Sequence, residues 1–363
     1  MAETQAKSPE VAPKPRRLFL KQAVMSRMLL ALSPLLVAGI YFFGWRVVAL
    51  LAVCVAGGVA TEWVMASRRG KPVSQAVLVT CVLFALSLPP TMPYWMAVVG
   101  VVVGVLFGKE VYGGFGRNWC NPAIVGRAFV YVAFPVQMTG SFVPAFRGFP
   151  GGFARWSLAT MAEAPEWLAT VAKTGADAMT AATPKWSWRD FGVDTPLSDL
   201  FFGNIGGTFE GPYGEKVLAA GSIGEVSALL ILLAGIYLMA TRTANWRLTA
   251  STLLGISVTN VLFRDVLGAK GLPSLPFTLL SAGLLYAAVF MVTDPVSAPK
   301  KRLSMWLYGL FIGAVVVLIP WRGQFAGAVS FSILLGNMVG PSLDLAVRAW
   351  GERKKAAAKE AAA

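Results

Sequence analysis

Apolar runs recur ten times along this chain, at 28–44, 47–66, 73–89, 94–108, 122–138, 222–240, 246–263, 275–292, 303–320 and 324–346. Each approaches the roughly 17–25 residues that a helix needs to cross the hydrocarbon of a bilayer. No water reaches backbone N–H and C=O groups there, so such a run closes its own hydrogen bonds as helix. A soluble fold is excluded by composition, since 56% of the residues are hydrophobic and only 14% are charged, too few to coat a globule. The sequence predicts an all-α integral membrane protein of about ten transmembrane helices. Five runs precede the hydrophilic stretch 139–221 and five follow it, and an odd number per half inverts one half relative to the other, giving two five-helix inverted repeats. The expected organisation is a cytoplasmic basic tail over 1–27, a membrane half over 28–138, a loop over 139–221, a second half over 222–346 and a cytoplasmic tail over 347–363.

Lys and Arg in alternate loops set the orientation. With the N-terminus in the cytoplasm, the two tails and "ASRRGKP", "GKEVYGGFGRN", "TRTANWR" and "SAPKKR" hold 21 of the 32 basic residues. Both termini are therefore expected inside, and the 139–221 loop outside, in the periplasm of a Gram-negative cell. The basic start, with no A-x-A-like site after the first run, reads as a retained signal anchor. Basic loops facing anionic lipid account for the net charge of +14, so no nucleic-acid partner is implied. Cys54, Cys81 and Cys120 show no CxxC pairing and the chain has no histidine, which excludes a Cys₄ iron–sulfur site and a His-ligated haem or zinc within it. Any redox group is organic or lies between subunits.

A charge inside a span costs roughly 2.5–3.5 kcal/mol on insertion scales, so each one marks a candidate site. Glu62, Arg127, Glu225, Asp294 and Asp344 fall within or beside the runs. Glu225 suits stabilisation of a helix N-terminus. Glu62 and Asp344 suit either an ion path or pairing with a basic loop residue. Arg127, placed deeper, needs a partner such as Glu110, or an anionic or polar ligand. Asn118 and Asn121 flank Trp119 and Cys120 at the start of the fifth run. They read as partners for the edge of a flavin or quinone ring or, for Asn121 ahead of Pro122, as a helix N-cap. Gly108, Gly113, Gly114 and Gly116 crowd the approach to that run and Pro135 interrupts it. Broken helices of this kind are tolerated where backbone lines a cavity, so a ligand pocket near the cytoplasmic side is expected.

The stretch "TGADAMTAATPKW", 174–186, lies in the outer loop. Thr183, flanked by Ala181, Ala182 and Pro184, is sterically open and able to accept a phosphoryl-linked group, with the Asp177 carboxylate six residues upstream. Thr195 also precedes a proline, in "DTPL", but lacks the small residues before it.

Taken in order, "GGVATEW", "PPTMPYW", "GKEVYGGFGRNWCNPAIVGRAF", "FPVQMTG", "DAMTAAT", "FFGN", "GSIGEVSAL", "NWR" and "MVTDPVSA" resemble the family of membrane subunits that contains the B-type subunit of the sodium-translocating NADH:quinone reductase and the D-type subunit of the Rnf complex. The resemblance covers about 28–347. It implies FMN held by a phosphodiester to Thr183, with Asp177 and Thr180 completing the motif, attached outside the membrane by a flavin transferase that uses FAD. It further implies a noncovalent riboflavin, ubiquinone as substrate, sodium as the coupled ion and a bacterial inner membrane. The implied partners are the other subunits of one complex, including an FMN-carrying and an NADH-oxidising subunit. Glu62 and Asp344 match acids of the sodium path, and Gly57 and Gly58 match glycines of the quinone site. Asn118, Asn121 and Arg127 are our candidates for the riboflavin pocket. NADH is expected to bind a partner, because no G-x-G-x-x-G opens a dinucleotide fold here. Departures from the family are Ala178 and Ala181, where glycine is frequent, a missing segment between the first two runs, and the extra "GGTFEGPYGEKVLAA" at 206–220. Two other readings stay open: an Rnf-type complex that exchanges electrons with ferredoxin, and a secondary transporter without redox chemistry.

Overall fold

All ten apolar runs contain helix, but the helices differ in length where the sequence supplies breakers. The computed structural model describes residues 19–20, 22–157, 183–211, 214–281, 283–323, 325 and 327–361. The first half holds α1 (Ala23–Phe43), α2 (Arg46–Arg68), α3 (Ala76–Leu86), α4 (Tyr94–Val105), α5 (Pro122–Ala133) and α6 (Pro135–Gly140). Two short helices follow, α7 (Pro184–Phe191) and α8 (Leu197–Phe202). The second half holds α9 (Ala228–Ala240), α10 (Trp246–Val261), α11 (Leu275–Leu280), α12 (Leu284–Tyr286), α13 (Arg302–Arg322) and α14 (Ala328–Glu360).

Among the described residues, α1, α2, α13 and α14 are long and apolar enough to cross a membrane. The other runs are shorter or broken, so the expectation of ten uninterrupted helices needs correction. The causes are local. Pro135 lacks the N–H that would continue α5, and Phe134 before it leaves helical geometry at φ −133° and ψ 58°. Gly283, at φ +67°, separates α11 from α12. Turns of wider π geometry extend α4 through Leu106–Glu110, α10 through Leu262–Val266 and α12 through Ala287–Met291.

Among the described residues, two small ladders accompany the helices. Strand β1 (Phe19–Leu20) pairs in parallel with β2 (Val73–Ser74). Strands β3 (Thr208–Gly211) and β4 (Gly214–Val217) form an antiparallel hairpin inside the extra 206–220 segment.

Alternate connections meet at opposite ends of the bundle. At one end Gln22 N donates to Gln75 Oε1 at 2.9 Å and Arg27 Nη1 to the Thr241 carbonyl at 3.1 Å. At the other, Trp45 N donates to the Arg155 carbonyl at 3.1 Å, Phe146 N to that of Phe42 at 2.8 Å and Ile223 N to that of Leu88 at 3.2 Å. The halves are tied by Tyr286, whose buried hydroxyl donates to the Leu83 carbonyl at 3.1 Å.

Lipid is as apolar as the helix faces, so close backbone approach rather than the hydrophobic effect holds membrane helices together. Helices α10 and α13 follow that rule through Gly255 on one and Gly309 and Gly313 on the other. A Cβ on Gly255 would stand 2.6 Å from the Leu310 carbonyl oxygen, and one on Gly313 would meet that of Thr252. Gly313→Leu is expected to separate the two helices at a cost above the about 1–3 kcal/mol of ordinary overpacking, read as a lowered thermal unfolding midpoint in detergent. A midpoint equal to wild type would refute the close contact.

Candidate functional site

Among the described residues, two cavities at opposite ends of the bundle hold several of the candidate residues named from sequence. The first, of about 90 Å³, lies at the end that carries the 139–221 segment and is bounded by Thr183, Lys185 and Arg189 at α7 and by Arg127 and Glu225 within the bundle. Thr183 is the N-cap of α7, with extended φ −64° and ψ 159°. Pro184 at the first helical position needs no N–H partner and brings φ preset for helix. The Thr183 carbonyl accepts from Ser187 N at 2.9 Å, yet its side chain makes no capping bond. Among the described residues no hydrogen bond to this hydroxyl is present. Asp177 and Thr180 lie outside the described residues. Thr195 differs sharply, being 4% exposed with its hydroxyl enclosed and unbonded among the described residues.

Arg127 and Glu225 form a buried pair, Nη1 to Oε1 at 2.9 Å. The sequence reading offers Arg127 a partner such as Glu110, or an anionic or polar ligand. Glu110 pairs instead with Arg69. Nor does Glu225 serve a helix N-terminus directly, since α9 begins at Ala228 and Ser227 Oγ accepts from Leu230 N. The break at Gly283 makes room for this carboxylate, because a Cβ there would overlap the Glu225 side chain. Irregular backbone thus sits where protein, not lipid, surrounds it.

The second cavity, of about 60 Å³, lies at the opposite end between the halves and is bounded by Asn118, Asn121, Lys109, Thr80, Phe290 and Asp294. Asn121 caps α5, accepting from Ala123 N at 3.0 Å, and donates to the Met291 carbonyl at 3.1 Å. Asn118 Nδ2 reaches the Cys120 carbonyl at 3.3 Å and Asp294 Oδ2 at 3.4 Å. Asp294 is held by Ser297 Oγ at 2.7 Å and Val296 N at 3.2 Å. The structure brings the two asparagines together with Asp294, while Arg127, grouped with them from sequence, lines the first cavity.

Glu62 lies nearby in a closed ionic cluster. Its Oε1 accepts from Ser74 N at 2.8 Å and Ser74 Oγ at 2.7 Å, and its Oε2 from Lys109 Nζ at 2.5 Å. Lys109 and Glu62 are both buried, and Glu110 stands 3.8 Å from the same ammonium. Asp344 shares none of these partners. Half-buried on α14, it accepts from Lys300 N at 2.8 Å and Lys301 N at 3.0 Å, fastening the turn before α13. Gly57 and Gly58 let α2 lie against α3 and α4, Gly58 over Cys81 and both beside Val101.

Removing one member of a buried ion pair strands the other. Lys109→Met is expected to cost about 3 kcal/mol, the low end of that range because Ser74 still bonds Glu62. Adding Glu62→Gln should restore much of it, as read from unfolding midpoints of the single and double variants. Additive losses would show that the pair is not coupled.

Sequence reasoning missed Lys109, Lys185 and Arg189. A signal for the last two was present, since a helix opened by Pro184 puts residues four apart on one face. No sequence signal pairs Lys109 with Glu62, which lie on different helices.

A bundle whose long apolar helices recur from one end of the chain to the other, with charged groups buried between them, is a multi-pass membrane protein. Its sequence matches the model of the NQR2, RnfD, RnfE family over residues 12–350, and the chain belongs to that family. It is 34% identical over 289 residues to the B-type subunit of the Na(+)-translocating NADH-quinone reductase of Azotobacter vinelandii, covering 78% of this chain and 62% of that protein. The protein of the same name from Klebsiella pneumoniae is 34% identical over 310 residues, covering 81% and 65%. That from Pseudomonas aeruginosa is 34% identical over 288 residues, covering 78% and 62%. The chain thus spans less than two thirds of the length of these curated relatives.

Proposed function

We propose that this chain is the flavin-bearing membrane subunit of a sodium-translocating NADH:quinone reductase, with FMN linked covalently to Thr183 on the outer side. The observation that carries this reading is the Thr183 hydroxyl, unbonded among the described residues at a helix start and on the lining of a cavity that also holds Lys185, Arg189 and Arg127. In the same reading ten membrane crossings form two inverted halves in a bacterial inner membrane, with both termini in the cytoplasm. Segments that alternate between the two ends of the bundle support it.

The residues present fit such groups. A free hydroxyl accepts the phosphodiester, and Asn118 and Asn121 beside apolar Phe290 would supply donors and acceptors to a noncovalent riboflavin, whose ring needs the second cavity, about 60 Å³ here, to widen. Bound flavins supply the one- and two-electron transfer that links an NADH-oxidising partner subunit to ubiquinone. The chain itself holds these groups at opposite ends, excludes water between them with a buried core, and balances charge in the Glu62–Lys109 cluster and at Asp344. A sodium ion at Glu62 requires Lys109 to yield its place, because the carboxylate is already neutralised. The remaining subunits of the complex and a flavin transferase are the expected partners.

Covalent flavin on the denatured protein, matured with its transferase, tests the reading, and its absence with an active transferase overturns it. The missing segment between the first two apolar runs favours a second reading, the D-type subunit of an Rnf complex. Electron donation from ferredoxin instead of NADH to the purified complex would select it.

A further inference from the structure

Lys185 and Arg189 stand four residues apart on α7, directly after Thr183, and both line the cavity on which Thr183 opens. Arg189 is clamped by Asp190, with Nε to Oδ1 at 2.6 Å and Nη2 to Oδ2 at 2.9 Å. Lys185 is half-buried and has no hydrogen-bond or ion-pair partner among the described residues. Its other flank borders a smaller space bounded by Trp188, Pro320 and Trp321, with Thr278 and Ser281 also on its lining. Behind it Arg127, 5% exposed, pairs with Glu225 yet leaves its Nε without a hydrogen-bond partner. Arg189 is thus engaged by Asp190 and Arg127 by Glu225, which leaves Lys185 as the lining cation without a counter-charge among the described residues.

Volume narrows what completes it. About 90 Å³ admits a few waters or one phosphate-sized group, but not a tricyclic ring. We propose that Lys185, supported by Arg189, anchors the phosphodiester anion that joins flavin to Thr183, holding the phosphate in the cavity with the ring outside it. This rests on the assignment of Thr183 as the attachment residue. A compact ammonium is a good point-charge partner for a phosphate oxygen, and the anion supplies the counter-charge that the cavity lacks. In the attachment itself the Thr183 Oγ1–P bond forms as the pyrophosphate P–O bond of FAD breaks, AMP leaves, and the hydroxyl proton passes to a base of the transferase.

Without that anion, burial and then the neighbouring Arg189 push the Lys185 ammonium down from its ordinary value to about 8. Near pH 8 its amine is then half neutral and nucleophilic, and a bound anion restores the proton. The test is amine acylation at pH 8 of the full chain in membranes, expressed with or without flavin transferase and read peptide by peptide by mass spectrometry. Lys185 labelling should fall by about tenfold or more on flavinylation, while exposed Lys270 keeps its reactivity. In Thr183→Val, Lys185 should stay reactive under both conditions. Under limiting transferase, Lys185→Gln should slow flavin incorporation, and Lys185→Arg should restore it. Flavin on Thr183 with unchanged Lys185 labelling overturns the anchor and leaves the attachment standing. No flavin on the wild-type chain, with a transferase active on another substrate, overturns both.

Discussion

Thr183→Val is expected to abolish covalent flavin on the denatured protein, whereas Thr195→Val keeps the full in-gel fluorescence of wild type. Valine copies the shape of threonine and removes the only atom that could form the ester. Loss of an N-capping side chain ordinarily costs about 0.5–2 kcal/mol, but the Thr183 side chain makes no capping bond, so the variant should fold as wild type. Lost fluorescence would then report the missing nucleophile. Thr195 is the informative control because it shares the following proline but is enclosed, with its hydroxyl out of reach of a second protein. Fluorescence surviving in Thr183→Val would move the attachment elsewhere. A dark wild-type band beside an active transferase would return a bare secondary transporter to first place.

The second large effect is expected at the Arg127–Glu225 pair. Arg127→Met leaves the Glu225 carboxylate buried against Gly283 without a counter-charge, and such one-sided removal costs about 3–5 kcal/mol. Glu225→Gln should cost a similar amount by stranding the guanidinium. The double variant should be closer to wild type than either single one, because no charge remains to be desolvated. Unfolding midpoints of the four proteins in one detergent form a double-mutant cycle, and a coupling near zero would show that the pair does not hold the broken helices together. The loss should exceed that at Lys109, since no hydroxyl like that of Ser74 bonds the Glu225 carboxylate among the described residues.

Much of the fold could be read from the sequence because the signals were local. Apolar runs mark helix, Pro122 and Pro184 mark helix starts, and both prolines do open helices. The capping role of Asn121 is one of its two sequence readings and is present in the structure. Helix length was harder. Nothing in the hydropathy of 275–292 announces that Gly283 splits the run, because the reason is a carboxylate arriving from a distant part of the chain.

The same division holds for the site. The sequence by itself determined membrane class, the position of a threonine before a proline, and that Glu62 and Arg127 lie within the bundle, because each follows from composition within a short window. Only the tertiary structure decided which charges meet. Arg127 finds Glu225 and not Glu110, Glu62 finds Lys109, and Asn118 finds Asp294. A charge in a low-dielectric bundle must be balanced within a few ångströms, but sequence does not say which helix stands at that distance. Packing through small residues such as Gly58, Gly255 and Gly313 makes that choice, by setting which helices approach closely enough for a counter-charge to reach.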